Sequence, residues 1–216
     1  MSELIMQIKA ELQNGKGKLV KELTQKALDE GIAAQDILND GLLAAMDIIA
    51  VKFKNNDVYV PEVLIAARAM NGATALLKPY LAEAGAQPLG KCVLGTVKGD
   101  LHDIGKNLVR MMFEGKGIEV IDLGVDVSPE KFLEAVRTEK PDILALSALL
   151  TTTMNEMKNV VDYFVEHGER DSVVIMVGGA PVNDTFCKQI GADIYTTDAA
   201  SAAEAAKAAI IDKRGA

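Results

Sequence analysis

The hydrophobic spacing of this chain changes once, near residue 85, and that change constrains the fold more than any other feature. Before it, apolar residues recur three and four apart: Leu4, Ile5, Ile8 and Leu12, then Leu19, Val20, Leu23 and Ala27, then Ile37, Leu38, Leu42, Met46 and Ile49. A 3.6-residue turn brings such positions onto one helix face. A fourth run begins at Pro61, a residue favoured in the first turn of a helix, and passes through Val63, Leu64, Ala67, Met70, Ala73 and Leu77. Polar breaks at Asn14-Gly15, Glu30-Gly31 and Asn55-Asn56-Asp57 separate the runs, so residues 1–88 are predicted to form a small antiparallel four-helix bundle.

After Gly85-Ala86-Gln87-Pro88, short β-branched runs alternate with helical ones, the pattern of βα units and a parallel sheet. Strands are predicted near Cys92–Val97, Glu119–Asp122, Ile143–Leu146, Val173–Val177 and Ala192–Tyr195. Helices are predicted near Gly105–Glu114, Pro129–Glu139, Met154–His167, Thr185–Gln189 and Ala200–Asp212. Residues 89–216 therefore read as a flavodoxin-like (Rossmann-type), doubly wound α/β domain with five parallel strands. In such sheets ligands bind beyond the carboxyl ends of the strands, so the residues just past each strand carry the functional argument.

Composition removes several classes. A net charge of −8 over 216 residues, without a Lys/Arg run, argues against a nucleic-acid partner. The two cysteines, Cys92 and Cys187, lie in different segments and have no C-x-x-C spacing, which fits the reduced cytoplasm. No stretch approaches 18 apolar residues and the N-terminus mixes charges into an amphipathic pattern, so the expectation is a soluble, unprocessed chain with no membrane partner.

The first strand leads into Gly99-Asp100-Leu101-His102-Asp103-Ile104-Gly105-Lys106-Asn107. A Walker A loop is excluded because five residues, not four, separate Gly99 from Gly105, and Asn107 follows the lysine. The dinucleotide fingerprint G-x-G-x-x-G is also missing. The loop offers a histidine with a carboxylate two positions earlier, and a metal-bound imidazole usually donates its second ring N–H to such a carboxylate. The alternative is that His102 and Asp103 serve as turn and helix-cap residues. The other histidine, His167, precedes Gly168 at a predicted helix end and reads as structural. One protein nitrogen suits a metal whose other positions are filled by a macrocycle.

After the third strand comes Ser147-Ala148-Leu149-Leu150-Thr151-Thr152-Thr153-Met154, where one threonine is expected to cap the next helix. The fourth strand is followed by Gly178-Gly179-Ala180-Pro181, where paired glycines either let a ligand approach the backbone or make a tight turn.

Together the three loops resemble the cobalamin-binding signature Asp-x-His-x-x-Gly, Ser-x-Leu and Gly-Gly, here Asp100-Leu101-His102-Asp103-Ile104-Gly105, Ser147-Ala148-Leu149 and Gly178-Gly179. With the helical segment before them, they make the chain similar to corrinoid proteins of methanol, methylamine and O-demethylase methyltransferase systems and to the cobalamin-binding region of methionine synthase. The resemblance implies a cobalamin or related corrinoid bound base-off and His-on. In that state the cofactor's own base leaves cobalt and enters the α/β domain, and His102 takes the vacated axial position.

The same resemblance makes Asp100 the partner of His102 and Thr153 the hydroxyl beyond it. Ser147, Gly178 and Gly179 would line the tail, with Asp103, Ile104, Gly105, Leu149 and Thr151 as further cofactor-binding positions. The helical half would be a cap over the corrin, with Tyr59 and Met70 as candidate shielding residues near Met46; the competing reading places all three in ordinary bundle core. The implied function is a methyl carrier: it takes a methyl group on Co(I) from a substrate-specific methyltransferase and presents methyl-Co(III) to a methyl-accepting one. A reductive activase is a further implied partner. With no second active site legible, the chain is expected to depend on those partners for catalysis. The alternatives are a cobalamin-sensing regulatory module, which normally adds a DNA-binding or signalling domain, and the small subunit of a cobalamin-dependent mutase. A phosphoacceptor receiver domain is disfavoured because Ser147 stands where its aspartate is required.

Overall fold

The computed structural model describes residues 2–215, which divide into two compact units: residues 2–87 with Gly115–Gly117, and 88–114 with 118–215. The first unit is helical: α1 (Glu3–Gln13), α2 (Gly17–Asp29), α3 (Ala34–Asp36), a π-helical segment (Ile37–Leu43), α4 (Ala44–Lys54) and α5 (Val60–Glu83). The apolar faces expected from spacing are its core: Ile8, Leu12, Val20, Met46, Val63 and Leu77 are almost wholly buried. The third predicted helix departs from expectation. It starts at Ala34 and widens into a π turn before resuming as α4. Gly41 lies buried in that wide turn, where a Cβ would come within 3.3 Å of Ile8 Cγ2. Helix α5 begins one residue before Pro61, and its first turn is closed by Glu62, whose carboxylate accepts from Tyr59 N at 3.0 Å.

The second unit is a five-stranded parallel sheet ordered β2-β1-β3-β4-β5. Its strands are β1 (Gly90–Thr96), β2 (Ile118–Asp122), β3 (Ile143–Ser147), β4 (Val174–Gly178) and β5 (Ile194–Tyr195). Helices α6 (Ile104–Glu114), α7 (Pro129–Glu139), α8 (Met154–Glu166), α9 (Asp184–Ile190) and α10 (Ala199–Gly215) connect or follow them. This is the doubly wound arrangement expected. The chain winds one way from β1 to β2 and the other way from β3 onward, which opens a crevice above β1 and β3.

Because strand side chains alternate, the sheet has two distinct faces. Val93, Leu144 and Ile175 pack beneath Phe132 of α7 and Val160 and Phe164 of α8. The opposite face carries Leu94, Ala145 and Met176, neighbours across β1, β3 and β4, and faces the side of α6 and α10. Helix α10 buries Ile210 and the small residues Ala202, Ala203 and Ala206, which allow close packing with α6. Strand β5 is shorter than the predicted Ala192–Tyr195. At Asp193 the side-chain carboxylate, not the main chain, accepts the N–H of Ile175 at 2.7 Å, so regular pairing starts only at Ile194.

Candidate functional site

The carboxyl ends of β1, β3 and β4 carry the three signature loops to one place. Asp100, wholly buried just beyond β1, is where they meet. One of its oxygens, Oδ1, accepts from the backbone N of His102 at 3.0 Å and lies 2.7 Å from His102 Nδ1. The other, Oδ2, accepts from Leu149 N at 2.8 Å, Leu150 N at 3.3 Å and the Thr153 hydroxyl at 2.7 Å. Burial alone would push its carboxyl up. The hydrogen bonds from Thr153, from His102 and Leu149 main-chain N–H groups and from the His102 ring outweigh that and hold it well below the usual carboxylate range.

This fixes the histidine. A carboxylate only accepts, so Nδ1 carries the hydrogen, and in the neutral ring the lone pair lies on Nε2. The His102 side chain is 50% exposed while its partner is 0% exposed, an anchored base with its ring at the surface of the fold. The loop is pinned from two further sides. The buried Thr96 hydroxyl donates to His102 O at 2.9 Å, and Asp126 accepts from Gly99 N at 2.7 Å while its own N–H donates to Asp100 O. Neither Thr96 nor Asp126 stands out in the sequence, although each lies at or just past the carboxyl end of a strand.

Thr153 occupies the cap position of α8, as expected for one of the threonines, yet its hydroxyl caps nothing and is turned to Asp100 instead. Asp103 precedes α6 and bonds Asn107, accepting from its backbone N at 2.7 Å and from its side-chain amide at 3.0 Å. The first of these bonds is to its main-chain carbonyl and the second joins two side chains, so Asp103 stands at the cap position by its backbone alone.

Beside the histidine opens a cavity of about 600 Å³, within the range that holds small ligands. His102, Asp103, Ile104, Gly105, Ser147 and Leu149 border it, as do Gly178 and Gly179. Gly178 and Gly105 face open space where a Cβ would stand. Gly179 is different: its φ is +136°, and a Cβ there would lie 1.8 Å from Ala148 O, so no other residue fits. Leu101 and Ile104 expose 71% and 79% of their surface at the mouth, an apolar rim the bare fold does not explain. Thr151 is exposed in the adjacent turn and does not line the cavity. The loop after β5, Thr196-Thr197-Asp198, closes one side, and no sequence signal marks it as part of the site. Burial works against the charge of Asp198, but bonds from Ser201 and Thr197 keep its carboxyl lowered.

Among the described residues no group of three or more His, Cys, Asp or Glu side chains is placed to hold a metal ion. At the cavity His102 presents a single ring nitrogen, Nε2. His167 bonds its own helix through Tyr163 O and ends α8. In the helical unit, Met46 and Met70 are core, 2% and 3% exposed, whereas Tyr59 is 64% exposed at the start of α5. No helix among the described residues is long and apolar enough to cross a membrane.

Comparison with known proteins bears on the family and the fold. Residues 90–207 match a B12 binding domain, and residues 4–78 match a second model of the same description. A corrinoid protein of Desulfitobacterium hafniense is 38% identical over 206 residues, covering 94% of this chain and 95% of its own. The trimethylamine corrinoid protein of Methanosarcina barkeri is 38% identical over 210 residues, 96% of this chain and 97% of its own. Among solved structures, the methanol:cobalamin methyltransferase complex of Methanosarcina barkeri superposes with a TM-score of 0.89 at 34% identity, covering 97% of this chain and 80% of that one.

Proposed function

This chain belongs to the family of proteins built on B12-binding domains, and on that premise we propose that it is a corrinoid methyl carrier serving two methyltransferases. One would be specific for the methyl donor and the other would accept the methyl group. The names of relatives, a trimethylamine and a dimethylamine corrinoid protein, support this reading, as does the likeness to a methanol:cobalamin methyltransferase complex. The single observation that carries it is the pair of His102 and buried Asp100 at the mouth of a cavity that no side chain at Gly178 fills.

The residues fit a corrinoid in donor and in shape. His102 offers one nitrogen, Gly105 and Gly178 leave backbone open to approach, and the rim of Leu101, Ile104 and Leu149 matches an apolar macrocycle. When bound, the corrinoid supplies a cobalt centre at which a methyl group is taken up and given away. His102 Nε2 would be the protein's ligand to the cobalt, and Ser147, Gly178 and Gly179 would border the space that takes the cofactor's own base. Asp100 keeps the hydrogen on Nδ1 and the lone pair on Nε2, and the Thr153 hydroxyl holds Asp100 in place. The ionised Asp100 beside Nδ1 would balance positive charge carried by the ring. Asp103, Ile104, Gly105 and Leu149 complete the surround, and Thr151 stands outside it in the adjacent turn.

In this proposal residues 1–88 act as a cap that keeps water from the reactive face, with Tyr59 as its exposed candidate; Met70, 3% exposed, belongs to the bundle core. A reductive activase is a further partner, and two free, buried cysteines suit a cytoplasmic carrier. Incubation with hydroxocobalamin followed by ultrafiltration tests the reading. The wild type should retain one corrinoid per chain and His102→Ala should retain it with an altered visible spectrum; no retention by the wild type would refute it.

A further inference from the structure

We infer that the cavity accepts a benzimidazole-type lower base and discriminates against a purine one. The inference rests on the corrinoid reading and concerns which corrinoid. Two transverse rows of side chains line the sheet wall of the cavity. The outer row, Ser147 and Gly178 beside Thr96, stands at the mouth; the inner row, Leu94, Ala145 and Met176, lies two residues deeper on the same strands. Two residues of strand are about 7 Å, roughly the depth of a bicyclic base.

The inner row is apolar throughout, and so are the residues opposite, Val109 and Phe113 of α6 and Ala202 of α10. The polar groups that border the cavity are at its mouth or already engaged. The Lys106 ammonium is bound to Asp122 at 2.5 Å and Asn107 at 3.1 Å, and the Asp198 carboxylate is taken by Ser201. Tyr195, level with Val177, packs against the core of the opposite sheet face. Between Leu94 and Met176, the methyl of Ala145 is what keeps the floor deep.

A base seated there meets carbon and no hydrogen-bond partner. Dimethylbenzimidazole presents a hydrocarbon edge to such a floor. Adenine presents ring nitrogens and an exocyclic amine, each of which would lose its water without replacement. Unpaired buried polar groups of this kind reduce affinity by roughly ten- to a hundredfold.

The test is anaerobic equilibrium ultrafiltration of the full chain with three corrinoids reduced to Co(I), a state in which neither base is held by the metal: cobalamin, its adenine-base analogue, and cobinamide, which lacks the nucleotide. The expected order is cobalamin tightest, by about tenfold or more over the adenine form, with cobinamide weaker than cobalamin. Ala145→Leu, which fills the floor, should abolish the advantage of cobalamin over cobinamide and leave cobinamide binding unchanged. Should that variant fail to fold, the three-ligand series on the wild type still decides. Equal or tighter binding of the adenine form overturns the selectivity, and cobinamide binding as tightly as cobalamin overturns the seating of a base. Retention of none of the three would instead remove the corrinoid reading, and this inference with it.

Discussion

Asp100 holds together what three separate loops supply, and its environment makes the consequences of losing it specific. Asp100→Ala would deprive Leu149 N and Leu150 N of their carboxylate acceptor, leave the Thr153 hydroxyl only Leu150 O, and release the His102 ring, at a cost on the order of 2–4 kcal/mol in a urea unfolding series. Its lowered folded-state pKa sets the sign of a pH effect. The carboxylate's stabilisation is complete above its ordinary range near about 3.9 and is lost as pH falls below that toward the folded value. The melting-temperature gap between wild type and Asp100→Asn should therefore stay constant from neutral pH to about pH 5 and close below about pH 4; a gap that widens on acidification would refute it. The two glycines predict opposite outcomes. Gly179→Ala must clash with Ala148 O and should destabilise by about 2–3 kcal/mol or prevent folding, whereas Gly178→Val enters open space and should leave stability nearly unchanged while blocking corrinoid uptake. At this scale the sequence discloses the histidine and its carboxylate, because both sit two residues apart in one loop. Thr96 and Asp126 are invisible there because they act through contacts made only when other strand ends arrive beside them.

At the scale of elements, periodicity carries most of the information and side-chain capture of backbone groups carries the exceptions. The apolar faces of α1, α2 and α5 are legible because each buries one regular stripe, as Leu4, Ile8 and Leu12 illustrate. The π segment is not, since one widened turn around Gly41 leaves the hydrophobic spacing almost intact while rotating the face that α4 presents. Strand β5 looks longer in sequence because Ala192 and Asp193 continue the run, whereas the Asp193 carboxylate replaces a main-chain acceptor. The Thr196–Asp198 loop is hidden for a related reason: its role depends on where β5 ends. The alanines of α10 give a prediction of their own. Ala206 is fully buried, so Ala206→Leu should overpack the buried face that α10 presents beside α6 and cost about 1–3 kcal/mol, visible as a lowered melting temperature.

For the molecule as a whole, the break in periodicity near residue 85 coincides with the exposed segment Gly85–Pro88, between α5 and β1. We propose that residues 1–88 and 89–216 behave as separate domains, and brief proteolysis should cut first within that segment and yield two protected fragments; uniform digestion would speak against it. The function of the whole molecule is legible through chemistry and not through fold, since doubly wound sheets serve many functions. The decisive element is a lone histidine with a buried carboxylate behind it, in a chain whose second histidine ends a helix. That histidine also gives the most direct test of the account. The protein, loaded with cobalamin and reduced to Co(II), should show axial-nitrogen splitting by electron paramagnetic resonance, and labelling its histidines with nitrogen-15 should convert each triplet into a doublet. Loss of that splitting in His102→Ala, with retention in a His167 variant, would assign the ligand. Triplets that persist in the labelled protein would mean the cofactor's own base remains on cobalt, contradicting the site proposed for His102.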